Sequence, residues 1–327
     1  MTEARKRYIG KAMAVILKPT LSVSAAQAQA IVDQVSPGRR LALLSPLLSG
    51  EIGAVFELSL VDGAPLVLKV YPEALHWKMQ KEILVARLLD GHVSVPTPRI
   101  LLADDSKALI NLNFAVMTRL DGENVLGLER TLERSQVLAL YGQMGRALRE
   151  IHGIAMDAFG YIGTDGLVTP FASNRAYMLS QLDRKLGGFD QFGNRPDLAT
   201  RLRAHVERTT GLLDGCTRPS LCHYDFHTGN VLAVGDRLTG IVDLENAIAG
   251  DSLMDLAKTI AYSVRDDEAK REALLAGYGP IDRADWQETL RLYQFYGAIE
   301  LWAWWIQIGD KQRADSIVPE LERYATD

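Results

Sequence analysis

The chain has 327 residues, 47% of them hydrophobic and 24% charged, with a formal net charge of −5. At ~150 residues per domain this is about two domains, or one domain of two lobes, and the balance excludes a disordered, collagenous or membrane-spanning chain. A net negative chain has no general attraction for polyphosphate, so the expected partner is a small molecule, with no nucleic acid and no membrane.

In chain order, Ser24 to Val35 reads as a helix with Ser24 as its N-cap. Leu41 to Leu48, Ala54 to Leu60 and Leu66 to Tyr71 read as strands of a small antiparallel sheet, with Asp62-Gly63 as a hairpin signal and Pro65 suited to a strand's first residue. Trp77 to Leu89 reads as a helix stopped by Asp90-Gly91, and Phe114 to Met117 as a further strand. The segment after it, Thr118 to Gly122, separates an N-terminal lobe of residues 1–117 from a mostly helical lobe of residues 118–327. There, Leu132 to His152 has apolar residues at spacings of three and four, and Phe159 to Asn174 has the turn residues of an exposed loop. Helices are expected over Ala176 to Lys185 and Asp197 to Leu213, strands over Val231 to Val234 and Leu238 to Leu244, and helices again from Leu253. Two cysteines, Cys216 and Cys222, are too few for a disulfide framework. The apolar run Ala12 to Leu17 behind Arg5, Lys6 and Arg7 is too short for export, so a cytoplasmic location is expected.

The chemistry concentrates in Leu221 to Asp255. Asp225 is followed five residues later by Asn230, on a loop leading into a hairpin that ends at Asp243. Phosphoryl transfer needs a carboxylate to orient the attacking hydroxyl and accept its proton, and oxygen ligands for Mg²⁺ on the nucleotide phosphates. Asp225 suits the first role and Asn230 and Asp243 the second, with Glu245 one pleat further on the same strand face.

The segments His223-Tyr-Asp225-Phe-His227-Thr-Gly-Asn230, Ile241-Val-Asp243-Leu-Glu245 and Gly250-Asp251-Ser-Leu-Met-Asp255-Leu-Ala together resemble the aminoglycoside phosphotransferase family. The resemblance implies a two-lobed, protein-kinase-like α+β fold, with the γ-phosphoryl group of ATP or GTP moved to a hydroxyl of a small molecule. It further implies Asp225 as catalytic base, Asn230 and Asp243 on Mg²⁺, His223 shaping the loop and His227 supporting it. Tyr224 stands where many members have Gly and Thr228 where many have Pro. The family also implies a strand lysine on the phosphates held by a helix glutamate, roles that Lys69 and Glu82 fit. Ser49 and Gly50 sit where a phosphate-covering hairpin is expected, and Met117 to Arg119 where the nucleotide base would be met. Acceptors in the family include aminoglycosides, macrolides, nucleoside antibiotics, choline and sugars, which makes antibiotic resistance one expected role.

Other readings compete. A nucleotide-binding pseudokinase acting as an interaction module would keep the fold without turnover, and a choline or sugar kinase would keep the reaction in metabolism. His223, Cys222 and His227 read as a zinc cluster would make a hydrolase, although no distant Cys or His pair completes four ligands. In the aromatic segment Tyr293 to Trp305, residues Glu300, Trp302 and Trp305 form either helix core or a wall for the acceptor. Asn174 to Asn194 mixes Arg175, Arg184 and Lys185 with Asp183 and Asp190, which argues against a polycationic acceptor, while the aromatic run Trp302 to Trp305 would suit a weakly charged glycoside or nucleoside.

Overall fold

Strict alternation in Leu66-Val-Leu-Lys-Val-Tyr turns Leu66, Leu68 and Val70 to one face of a strand and Val67, Lys69 and Tyr71 to the other. A computed structural model of the protein, describing residues 21–49 and 53–326, places that strand at the centre of a five-stranded antiparallel sheet. The strands are β1 (Leu41–Ser49), β2 (Ala54–Leu60), β3 (Leu66–Tyr71), β4 (Ile100–Asp104) and β5 (Asn113–Thr118), in the order β1-β2-β3-β5-β4. Pro46 falls in the edge strand β1, where a missing N–H is tolerated. Helix α1 (Ala25–Val35), capped by Ser24 and Gln27 as a capping box, lays Ala28, Ile31 and Val32 on Leu58, Leu68 and Phe114. Helix α2 (His76–Leu89) covers the opposite face, packing Met79 on Tyr71, Ala115 and Met117. Lys69 therefore points at α2, which is the arrangement that brings it to Glu82.

α2 also belongs to the larger core. Its C-terminal turns and the following chain place Val85, Ala86, Leu89 and Val95 among the buried residues of the helical part, so the boundary expected at 117/118 is crossed by packing. The helical part comprises α3 (Val125–Leu128), α4 (Arg134–His152), α5 (Asn174–Phe192), α6 (Pro196–Thr209), α7 (Ser252–Thr259), α8 (Glu268–Tyr278), α9 (Trp286–Gln307) and α10 (Lys311–Thr326). Two small sheets lie beneath the site. β6 (Glu123–Asn124), β9 (Val231–Val234) and β10 (Arg237–Ile241) form one, and β7 (Gly160–Tyr161), β8 (Ser220–Cys222) and β11 (Ile248–Gly250) the other. The segment expected as an exposed loop is thus partly structural. Gly160 and Tyr161 pair with β11, while Phe159 and Ile162 are buried, because a Gly-rich run can also follow a close backbone approach. Both cysteines are free thiols. No helix among the described residues is long and apolar enough to cross a membrane.

α4 and α8 cross at glycines. A Cβ on Gly145 would collide with the Leu274 carbonyl, and one on Gly277 with the Gly142 carbonyl, both rigid backbone. Gly277→Ala is accordingly expected to destabilise the protein by about 3 kcal/mol, the upper end for overpacking, where most surface substitutions change little. A thermal melt of the variant unchanged from the parent would contradict this packing.

Candidate active site

Four chain segments meet at the site. From β3, Lys69 Nζ lies 2.9 Å from Glu82 Oε2, 2.8 Å from Asp243 Oδ1 and 2.9 Å from Glu245 Oε2. Burial alone would favour the neutral amine, but Asp243, Glu245 and Glu82 outweigh it and hold Lys69 protonated well above the usual lysine range. Glu82 accepts a 2.5 Å hydrogen bond from the Tyr71 hydroxyl, and its burial raises its pKa. Burial also opposes the charge on Glu245, yet Lys69 and Lys78 together hold that carboxyl well below the usual range. Lys78, on α2, donates to Glu245 Oε1 at 2.8 Å and to Asn246 Oδ1 at 3.2 Å, tying the helix to the turn after β10.

That turn differs from the strand expected through Leu244. β10 ends at Ile241, Asp243 takes left-handed φ and ψ of 65° and 58°, and Leu244–Asn246 forms one 3₁₀ turn. Asp243 and Glu245 therefore do not share a pleat face; the left-handed residue reverses the chain and delivers both carboxylates to Lys69. Asp243 keeps 36% of its side chain exposed.

The loop from His223 to Asn230 is fixed at several points. His223 donates from Nε2 to the Val242 carbonyl at 3.1 Å and accepts from the Asp225 N–H at Nδ1, 3.2 Å away. Tyr224 has φ +62°, which explains why glycine suits this position. Its strain is held by a 3.0 Å bond from its N–H to Asp255 Oδ1 and a 2.6 Å bond from its hydroxyl to Glu300 Oε2. Asp255 is fully buried. Burial opposes its ionisation, but its contact with His152 and the bond from the Tyr224 N–H outweigh that and hold its pKa low. Asp251 caps α7 through Leu253.

Asp225, with 22% of its side chain exposed, has two differently placed oxygens. Oδ2 accepts from Asn230 Nδ2 at 3.3 Å and Asn246 Nδ2 at 3.2 Å. Oδ1 lies 3.8 Å from both His227 Nε2 and Lys258 Nζ, leaving it open to a hydroxyl. Burial lowers the His227 pKa, so its ring favours the neutral form. The Asn230 amide oxygen and Asp243 Oδ2 accept no hydrogen bond among the described residues. Two uncommitted hard oxygens, one of them on a carboxylate paired with Lys69, fit Mg²⁺ on a polyphosphate.

This arrangement has relatives. The profile of the phosphotransferase enzyme family matches residues 44–292. The chain belongs to the phosphotransferase enzyme family. Its fold is that of the aminoglycoside phosphotransferase APH(4)-Ia, 16% identical, with 93% of this chain and 99% of that chain covered at a TM-score of 0.73. A thermostable APH(4)-Ia mutant in ternary complex with ADP and hygromycin B is similar at 17% identity, covering 90% of this chain and 96% of that chain with a TM-score of 0.70. The gentamicin complex of APH(2")-IIa gives 19%, 92%, 97% and 0.68 for the same four quantities. Among curated proteins, the probable acyl-CoA dehydrogenase IBR3 of Arabidopsis thaliana is 24% identical over 217 residues, which is 61% of this chain and 24% of that protein. The chain spans about a quarter of that relative's length.

Within this member of the phosphotransferase enzyme family, Lys69, Glu82, Asp225, Asn230, Asp243 and Glu245 come together as one cluster, with His223 and His227 bracing it. The zinc reading of His223 and His227 has no geometric support, since both His223 nitrogens are engaged, one by the Val242 carbonyl and the other by the Asp225 N–H. Among the described residues, the His, Cys and acid ligand atoms that do lie close are those of His152, Cys222 and Asp255, all buried. Met117 is buried in β5, and Arg119 is engaged by Glu57 at 2.6 Å and the Leu120 carbonyl at 2.7 Å. Gly50 and the Ser49 side chain lie outside the described residues. The aromatic wall needs correction. Trp302 is 1% exposed and packs on Phe189 in the core, while Arg313 covers the Trp305 ring at 4.6 Å. Of those three residues only Glu300 faces Asp225's surroundings, through Tyr224 and Lys258. Sequence reasoning missed Lys78, Asn246 and Lys258. The last stands one turn after Asp255 on α7, a signal available only once Asp255 is placed beneath the loop.

Proposed function

We infer that the protein transfers the γ-phosphoryl group of ATP or GTP to a hydroxyl of a small molecule. The observation that carries this reading is the convergence of Lys69, Asp243 and Asn230 beside a carboxylate, Asp225, with one oxygen tethered and the other open. In the reaction, the acceptor hydroxyl hydrogen-bonds to Asp225, which aims its oxygen at the γ-phosphorus and takes its proton. The new P–O bond forms as the bond to the β-phosphate oxygen breaks, and the nucleoside diphosphate leaves. Lys69 neutralises phosphate charge, and Glu82 and Glu245 hold the lysine in place and protonated. Asn230 and Asp243 would hold Mg²⁺, which when bound supplies charge neutralisation for the phosphate oxygens. His223 fixes the loop so that Asp225 needs no reorganisation during transfer.

The intact catalytic set favours turnover over a pseudokinase. Relatives solved with hygromycin B and gentamicin support a hydroxylated small molecule as acceptor, and a role in the cytoplasm, as an antibiotic-modifying or metabolic kinase, accords with that reading. Oxygen ligands predict a specific metal response. Chelation by EDTA is expected to abolish nucleotide-dependent transfer and Mg²⁺ to restore it, with no requirement for Zn²⁺. Transfer that survives chelation would reject the assignment of Asn230 and Asp243.

A further inference from the structure

The two oxygens of Asp225 face different neighbours. Oδ2 is held by Asn230 and Asn246 on the side of Asp243 and Lys69, where the phosphates belong. Oδ1 lies 3.8 Å from both His227 Nε2 and Lys258 Nζ, and Lys258 stands above the Tyr224 ring at 4.2 Å. Lys258 continues to Glu300 Oε2 at 3.6 Å, and Lys185 of α5 reaches Glu300 Oε1 at 3.7 Å. Both lysine side chains are only 14% exposed, and these separations exceed an ordinary N–H···O bond. Each ammonium carries three donors and has capacity left for a ligand. Glu300, in contrast, is already engaged by the hydroxyls of Tyr224 at 2.6 Å and Tyr296 at 3.4 Å. Burial opposes the Lys258 charge, but Glu300 and Asp225 outweigh it and keep the side chain cationic. Burial brings Lys185 down to about 8 against the pull of Glu300, so it too is mainly charged at neutral pH.

Apart from the base itself, the ground beside Asp225 Oδ1 thus holds two ammonium groups and one carboxylate. With Asp225 counted, two ammonium groups face two carboxylates, so a polycation arriving there meets no excess of acid, and the one carboxylate besides the base is already engaged. An anion meets two partly buried donors.

The geometry points to Lys258 and Lys185 as an anion-reading subsite, so that the acceptor is a small hydroxy compound carrying a carboxylate or phosphate within a few ångströms of the hydroxyl that Asp225 addresses. This rests on the phosphotransferase reading and narrows its acceptor. It replaces the weakly charged glycoside or nucleoside suggested by the sequence, whose supporting aromatic wall is core and an Arg313 contact.

The test uses the full chain with Mg²⁺ and ATP or GTP and compares matched acceptors: 3-hydroxybutyrate with 3-hydroxybutyramide, glycerol 3-phosphate with glycerol, and gentamicin beside them. Binding of each in the presence of a non-hydrolysable nucleotide is measured by titration calorimetry, and transfer by phosphomonoester formation. In at least one pair the anionic member is expected to bind and react at least ~10-fold better, an effect of about 1.4 kcal/mol. The two pairs separate a carboxylate from a phosphate as the group recognised. Lys258→Met and Lys185→Met are expected to remove most of that preference, and Lys258→Arg to keep part of it, with nucleotide affinity little changed. Equal or better binding of both neutral members or of gentamicin would overturn the subsite. So would an unchanged preference in both Met variants, or an effect confined to nucleotide affinity, which would place Lys258 on the γ-phosphate instead. Failure of the chain to bind Mg²⁺-nucleotide at all would reject the phosphotransferase reading itself.

Discussion

Asp225→Ala is expected to lower phosphoryl transfer by about three orders of magnitude while leaving nucleotide affinity nearly unchanged. The separation follows from the geometry. The Asp225 carboxylate touches Asn230 and Asn246 through one oxygen, Asn230 also donates to the Asp225 backbone carbonyl, which the substitution keeps, and Lys69 is held by other carboxylates, so removal leaves the phosphate-facing group of Lys69, Glu82 and Asp243 intact. What is lost is the acceptor for the hydroxyl proton and the hydrogen bond that aims the nucleophile, both specific to the transfer step. Asp225→Asn retains shape and a neutral acceptor oxygen but not the base, so its kcat is expected to fall nearly as far. Comparing kcat with nucleotide Kd in both variants checks the assignment. Near-parent turnover in either would remove Asp225 from the reaction.

Asp243→Ala is expected to fail differently, losing Mg²⁺-nucleotide binding and turnover together. Asp243 has one oxygen on Lys69 at 2.8 Å and the other uncommitted, so its loss removes both a metal ligand and a partner of the buried lysine. Glu82 and Glu245 still hold Lys69, so the variant is expected to fold with the parent's far-ultraviolet dichroism. Titration of Mg²⁺-ATP followed by fluorescence would show the weakened binding. A variant that binds Mg²⁺-ATP like the parent would assign the metal elsewhere.

How far these roles could be read from sequence depended on where each partner lies along the chain. The loop His223 to Asn230 was legible because the proposed base, the proposed amide ligand and the supporting histidine sit within eight consecutive residues, and Lys69 because strand alternation fixed the face it occupies. Asp243 was legible as a residue but not in its conformation. A left-handed φ at a non-glycine leaves no periodic trace, and the strand was expected to run to Leu244. Lys78 and Lys258 looked like ordinary helix charges, since each has its partners on a distant segment brought close only by the fold. The tryptophans show the converse. Spacing places Trp302 on one face of α9 with Phe295 and Ile299, but not whether that face meets ligand or core, and Phe189 of α5 settles it as core. β4 escaped notice because Pro96 and Pro98 dominate the sequence before it, although both precede the strand and interrupt no ladder.

The central claim is a phosphoryl transfer to a small-molecule hydroxyl that uses Asp225 as base. Phosphorus NMR of the full chain with Mg²⁺-ATP or Mg²⁺-GTP and the hydroxy-acid, polyol-phosphate and aminoglycoside acceptors tests it most directly. A new phosphomonoester resonance growing in step with nucleoside diphosphate is expected for an anionic acceptor, and none with Asp225→Ala. Nucleotide left intact with every acceptor, or converted only to diphosphate and inorganic phosphate, would contradict it.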